Sequence, residues 1–357
     1  MTMMIRKSHL FIRFLALCLL LCPFPFLDAL TKDIYIVPYF PGALNIQMYR
    51  SSAHTPVATL SEWQLITRAL NQRGYTIKTS NLSQFRSLKH KKAKALKNTK
   101  YLIFMNIPDW THKNWKQQLA KLPKKKLILI AYEPPSVKPE MYTKEVLQLF
   151  GKVLTWDDDL VDNTKFFKIN YPVLRPMITN VPSFSQKKLL TQFSANKLSI
   201  HPNELYSERK KVIEFFETKK GNDFEFYGPG WKKEKYRNYR GVVEEKLRVL
   251  KNYRFSICYE NIHGIKGYIT EKIFDCFAAG CVPIYWGAST ITHSIPANCF
   301  IARQNFASIE HLLQYLKGMP ETKYNQYLDN IRRFLASDQA QQFSKQAFAE
   351  KVITRIR

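Results

Sequence analysis

Short runs in which nearly every position is apolar alternate along this chain with stretches whose apolar residues recur three and four apart. The first pattern marks strands buried on both faces and the second amphipathic helices. In the first half, Asp33 to Phe40, Thr76 to Thr79, Tyr101 to Asn106, Lys126 to Tyr132 and Lys152 to Trp156 read as strands, and Ser61 caps a helix running to about Arg73. Pro172, Pro176 and Pro182 then gather before a polar segment, Ser183 to Pro202, which puts a domain boundary near Ser185. The alternation resumes with a strand at Leu189 to Phe193, a charged helix at Tyr206 to Glu217, and a strand at Asp223 to Tyr227 that ends in the turn Gly228-Pro229-Gly230-Trp231. After it come a strand at Arg254 to Tyr259, a helix stopped by Gly280, a strand at Cys281 to Trp286, and helices at Phe306 to Lys317, Lys323 to Ala336 and Gln339 to Arg357. Strands alternating with helices predict α/β architecture: two Rossmann-like domains facing across a cleft, over residues 31–185 and 186–357.

Residues 1–30 form a separate unit. Arg6 and Lys7 precede an apolar segment whose uncharged part, Phe14 to Leu27, is shorter than the roughly 20 residues a bilayer helix needs. It reads as a signal-peptide core, as a short retained anchor or as a peripheral segment. The expected location is membrane-associated: Golgi-type in a eukaryote, envelope or inner membrane in a bacterium. Composition is globular, 45% hydrophobic with 14% aromatic residues, and the net charge is +27. That charge favours anionic partners: a phosphorylated substrate, an anionic membrane surface or nucleic acid. No nucleic-acid module surrounds the basic–aromatic stretches, so nucleic acid is not expected. Cys18 and Cys22 sit in the leader, and Cys258, Cys276 and Cys281 in apolar runs. With no Cys/His spacing for zinc, neither a disulfide framework nor a structural metal is expected. Asn81 opens a single glycosylation sequon.

Candidate chemistry concentrates between Asn252 and Ala288. Glu260 and Asn261 follow a strand, and Tyr268, Thr270, Glu271 and Lys272 stand at the head of a helix. Strand, polar loop and helix start is how α/β domains hold phosphorylated ligands. Lys272 in the first helical turn, with Arg209 adding a guanidinium fork, can neutralise charge on a departing diphosphate. Each, taken alone, is equally a surface cation on an amphipathic helix. Glu271 is a macrodipole partner or an acceptor for sugar hydroxyls. Asn261 and Tyr268 can supply neutral hydrogen bonds, and Glu260 can orient its neighbours. Glu133, displayed after a strand and before Pro134 and Pro135, is the candidate general base, although its spacing alone equally fits a solvated loop residue. Asp157 to Asp159 contain a DxD pair that can hold Mn²⁺ or Mg²⁺, but aspartates after a strand more often cap turns, and the cap is expected here. His201 and His263 lack metal spacing; His263 lies in the motif loop.

These motifs resemble the donor site of the α-1,3/4-fucosyltransferases, glycosyltransferase family 10. The resemblance rests on Tyr259-Glu260-Asn261, on Tyr268 with Thr270, Glu271 and Lys272, on Gly280 with Val282 and Pro283, and on Trp286-Gly287. Tyr227 to Trp231 and Arg209 resemble that family's donor-domain segments. Glu133-Pro134-Pro135-Ser136 resembles its base-bearing element, and Thr155 to Asp158 the end of its acceptor domain. The likeness spans roughly residues 100 to 290. It implies a GT-B fold whose N-terminal half takes a glycan acceptor, lactosamine-type or lipopolysaccharide, and whose C-terminal half takes GDP-fucose. It implies inverting transfer with Glu133 as base, most readily to a GlcNAc 3-hydroxyl, while Lys272 and Arg209 hold the departing GDP and Asn261, Tyr268 and Glu271 position ribose or fucose. No cofactor is required, Mn²⁺ or Mg²⁺ being at most stimulatory. The alternatives are the same fold using another nucleotide sugar, or a non-catalytic basic protein that binds glycans or membranes.

Overall fold

The structure, a computed structural model, describes residues 32–38, 59–79, 99–107, 115–221 and 223–356. The leader, the Asn81 sequon and most of the lysine-rich stretch 86–100 lie outside these. Eleven strands are described: β1 (Lys32–Val37), β2 (Tyr75–Thr79), β3 (Thr99–Met105), β4 (Leu127–Ala131), β5 (Lys152–Thr155), β6 (Phe166–Lys168), β7 (Lys188–Phe193), β8 (Phe224–Tyr227), β9 (Tyr253–Tyr259), β10 (Val282–Trp286) and β11 (Ile301–Ala302). They form two sheets, ordered β2-β1-β3-β4-β5-β6 and β11-β10-β9-β7-β8. Every pairing is parallel. Parallel strands need crossovers, and the crossover helices bury both faces of each sheet.

Strand β4 shows why its sequence is apolar throughout. Ile128 and Ile130 face one layer, with Ile34, Ile103 and the helix Glu62–Gln72. Leu127, Leu129 and Ala131 face the other, with Phe104, Leu119 and Phe150. Each fully buried Leu or Ile contributes about 1.5–3 kcal/mol. The helix Glu62–Gln72 begins at Ser61, whose hydroxyl accepts from Gln64 N while the Gln64 side chain accepts from Ser61 N. This reciprocal cap satisfies two otherwise orphaned N–H groups.

The first sheet ends at Lys168 and the second begins at Lys188, with the proline-rich connection between them. The C-terminus departs from the expected single helix over Gln339 to Arg357. A 3-10 turn at Asp338–Phe343 is followed by Ser344, whose hydroxyl caps a new helix, Lys345–Ile353. That helix returns to the first sheet. Phe348 stacks on Tyr132 with ring centroids 5.9 Å apart and meets Trp63 edge-on at 6.2 Å, and Val352 and Ile356 join the same buried layer. The end of the chain therefore completes the core of the first sheet rather than the second. Cys258, Cys276, Cys281 and Cys299 are all buried free thiols.

Candidate active site

Because both sheets are parallel, their carboxyl-terminal edges gather the loops that carry chemistry. Glu133 follows β4, and its backbone is tightly held. Asn106, in the left-handed conformation at φ 58 after β3, turns its Oδ1 to accept from Tyr132 N at 2.7 Å and Glu133 N at 3.0 Å. Tyr142 donates its hydroxyl to Glu133 O at 2.7 Å, and Trp156 Nε1 donates to Tyr132 O at 2.9 Å. Pro134 O closes a turn by accepting from Val137 N and Lys138 N. The carboxylate itself takes no hydrogen bond or ion pair among the described residues. Burial raises its pKa, Lys272 and Lys197 draw it down, and Glu271 adds to the rise; the net result is a carboxyl above its ordinary range. A partly desolvated carboxylate with no fixed proton donor is chemically able to accept a proton.

Opposite it stands the start of the helix Glu271–Ala278, capped by Thr270. Glu260 is fully buried. Its carboxylate accepts from Thr270 N at 2.9 Å and Thr270 Oγ1 at 2.7 Å, and pairs with Lys272 Nζ at 3.2 Å. Lys272 also contacts Thr270 Oγ1 at 3.1 Å and Glu271 at 3.4 Å, and its side chain is 18% exposed. Burial works against the ammonium, but Glu260 and Glu271 outweigh it and hold Lys272 above the ordinary lysine range, with Arg209 opposing them. Burial likewise works to raise Glu271, and Lys272, Lys246 and its own backbone N–H prevail, holding it down at about 2. Lys272 is thus a permanently charged cation fixed from beneath, on an axis where the helix N-terminus also favours an anion.

Arg209 is buried on the helix Tyr206–Thr218. Its Nη2 donates to Tyr259 O at 2.7 Å and Asn261 Oδ1 at 3.0 Å, so one arm of the fork fixes Asn261 rather than a ligand. The guanidinium lies 5.0 Å over the Tyr206 ring. Asn261 Nδ2 in turn donates to Tyr268 Oη at 3.3 Å. Tyr268 is 1% exposed, enclosed against Trp156 at 4.5 Å and Tyr171 at 6.2 Å, both from the first domain. The direct ligand contact expected of Tyr268 has no open face here; its hydroxyl reaches Asn261 and its ring joins the domains. Gly287 must be glycine: a Cβ there would lie 2.5 Å from Glu260 Cγ and from the Tyr285 hydroxyl.

The same domain contact explains Gly267, at φ 78, where a Cβ would meet Trp156 O at 2.4 Å. Around it Lys266 pairs with Asp159 and Lys168 with Asp158, each at 2.6 Å. Asp157 Oδ1 accepts from Asp159 N at 3.0 Å, so these aspartates are spent on a turn and on ion pairs. His201 Nδ1 accepts from Asn203 N at 3.1 Å, and His263 packs 5.3 Å from Trp286. Sequence reasoning did not find Asn106, whose only signal is an Asn directly after a strand. Nor did it single out Lys197 or Ser199. The Ser199 hydroxyl donates to Ser136 O at 2.7 Å, tying the second domain to the loop of Glu133. Nothing in the local sequence announces that long-range bond.

Two parallel-sheet α/β domains, their carboxyl-terminal edges turned toward each other, are the GT-B architecture of glycosyltransferases. Its solved neighbours include an α1,3-fucosyltransferase (TM-score 0.55, 16% identity, 91% of this chain and 90% of that one) and a DNA-modifying β-glucosyltransferase (0.54, 13%, 91% and 99%). Within that class, residues 186–353, just under half of the chain, match the family described as glycosyltransferase family 10 (fucosyltransferase) C-term. The chain is 34% identical over 89 residues to the α-(1,3)-fucosyltransferase FucT of Helicobacter pylori, covering 25% of this chain and 18% of that protein. It is 29% identical over 232 residues to the human 4-galactosyl-N-acetylglucosaminide 3-α-L-fucosyltransferase 9, covering 63% of this chain and 58% of that protein. The matches therefore span well under two thirds of these relatives.

Proposed function

We propose that the protein is an inverting fucosyltransferase that moves L-fucose from GDP-β-L-fucose to a glycan hydroxyl, most readily the 3-hydroxyl of GlcNAc. The observation that carries this reading is a carboxylate with no partner among the described residues, Glu133, set near enough to the braced cation Lys272 of the other domain for that cation to draw its pKa down. The family of the second domain and the names of the relatives support the donor and the sugar.

In this mechanism Glu133 takes the acceptor proton as the hydroxyl oxygen attacks fucose C1. The C1–oxygen bond to GDP breaks on the opposite face, its electron pair leaving with the diphosphate. Lys272, the N-terminus of its helix and the arm of Arg209 that bonds no partner among the described residues receive that charge, in a site whose dipoles are already oriented. Asn261 and Glu271 hold ribose or fucose hydroxyls. Tyr268 acts through Asn261 and through the domain contact. No metal is required: two cations do the work of one, with Mn²⁺ or Mg²⁺ at most stimulatory. The acceptor is a lactosamine-type chain or a lipopolysaccharide, and the protein works at a membrane. Among the described residues no helix is long and apolar enough to cross one. The leader, outside the described residues, would supply a signal or anchor.

The test is to supply GDP-β-L-fucose and N-acetyllactosamine and assign the product by NMR. An α-linked fucose on the GlcNAc 3-hydroxyl is expected; a β linkage contradicts the single displacement, and another hydroxyl contradicts the acceptor site.

A further inference from the structure

The described residues include four large apolar side chains that are exposed: Leu198, Ile200, Val242 and Tyr315. The first three are 90%, 103% and 66% exposed, and their segments bracket one turn, Gly228 to Gly230. On one side Asn196 N donates to Pro229 O at 3.0 Å, Asn196 Nδ2 to Gly230 O at 3.1 Å, and Trp231 Nε1 to Ser194 O at 2.7 Å. On the other, Gly228 N donates to Gly241 O at 3.0 Å. At Gly228, φ is 138 and a Cβ would strike Ser194 O at 2.1 Å, so the segments are pressed together and Leu198 and Ile200 stand on a braced base. Exposed apolar side chains gathered on neighbouring segments mark a contact surface more than singly scattered ones do.

The same turn runs on into Lys232, Lys233, Glu234 and Lys235, all exposed. Neither Lys232 nor Lys233 has an ion-pair partner among the described residues, and Lys235 is engaged only over the Tyr236 ring at 5.6 Å. Apolar tips beside solvated ammonium groups match the two layers of a bilayer interface, acyl boundary and anionic headgroup. The patch also adjoins the cleft: Ser199, between the two exposed apolar residues, bonds Ser136 O, three residues from Glu133.

We propose that the loops 195–201 and 229–243 form a peripheral docking surface for a bilayer rich in anionic lipid, holding the cleft mouth at the height of membrane-tethered acceptors. The test uses the full chain with vesicles of phosphatidylcholine, alone or with about one third phosphatidylglycerol. Hydrogen exchange reads the loops directly, independently of any binding by residues 1–30. Protection of both loops by the anionic vesicles, and not by phosphatidylcholine alone, is expected. Leu198→Ser with Ile200→Ser and Val242→Ser should abolish that protection. Lys232→Glu with Lys233→Glu and Lys235→Glu should likewise remove the protection of both loops by the anionic vesicles. Both variants should keep wild-type thermal stability and turnover on a soluble acceptor. Unprotected loops would overturn the proposal. So would variants that raise KM for a soluble acceptor while leaving loop protection by the anionic vesicles unchanged, since the patch would then be an acceptor contact.

Discussion

Lys272 answers to anions on two sides: Glu260, with Glu271 beside it, in this structure and, in the proposed function, the diphosphate above it. Two substitutions separate these duties. Lys272→Met keeps the aliphatic stem and removes the ammonium. Glu260, with no solvent exposure, would keep its bonds from Thr270 N and Thr270 Oγ1 but lose the charge 3.2 Å away. Stranding a buried charge in this way costs about 3–5 kcal/mol. Adding Glu260→Gln removes the stranded charge while leaving a carbonyl to accept from Thr270, so the double variant should recover most of that loss in urea unfolding. GDP affinity should not follow. A charge-assisted bond to phosphate is worth about 1.5–3 kcal/mol, or roughly tenfold to a hundredfold in Kd, and both variants lack it. Isothermal titration with GDP reads the second quantity. If the double variant regains wild-type GDP affinity, or Lys272→Met never loses it, Lys272 is only the counter-ion of Glu260 and the phosphate assignment is refuted.

Glu133→Gln should bind GDP as before and lose turnover. Because the folded pKa of Glu133 is raised, its contribution to stability is present below the unfolded pKa and lost as pH rises through the folded one. The variant should therefore melt above the wild type at pH 8, with the gap closing as pH falls toward about 4; equal melting at every pH would contradict the desolvation. Asp157→Asn with Asp159→Asn should leave activity in EDTA intact, and a loss restored by Mn²⁺ would contradict the turn-and-ion-pair role of these residues. Gly267→Ala should destabilise by at least about 2 kcal/mol in urea unfolding, from left-handed strain and the collision with Trp156 O together. Unchanged stability would mean that the domains do not meet there.

The layer structure was readable because parallel strands must be apolar on both sides, as Leu127 to Ala131 are, and because caps such as Ser61 carry their own local chemistry. The motif residues Glu260, Thr270 and Lys272 were readable for a related reason: they lie within one strand–loop–helix unit, so spacing along the chain translates into spacing in the site. What escaped depends on distant chain. Phe348 packs on Tyr132 across more than two hundred residues, and a helix amphipathic enough for either sheet does not name its partner. The Ser199–Ser136 bond, the enclosure of Tyr268 by Trp156, and the diversion of one arm of Arg209 to Asn261 all arise from how the domains meet, which no local pattern encodes.

The most direct test is a donor competition in EDTA, offering the protein GDP-fucose, UDP-glucose and UDP-GlcNAc together with N-acetyllactosamine and reading products by mass spectrometry. Fucosylated acceptor alone, absent with Glu133→Gln, is the expected result. A hexose or HexNAc product, or no product from a chain that GDP-fucose fails to protect against thermal unfolding, would contradict it.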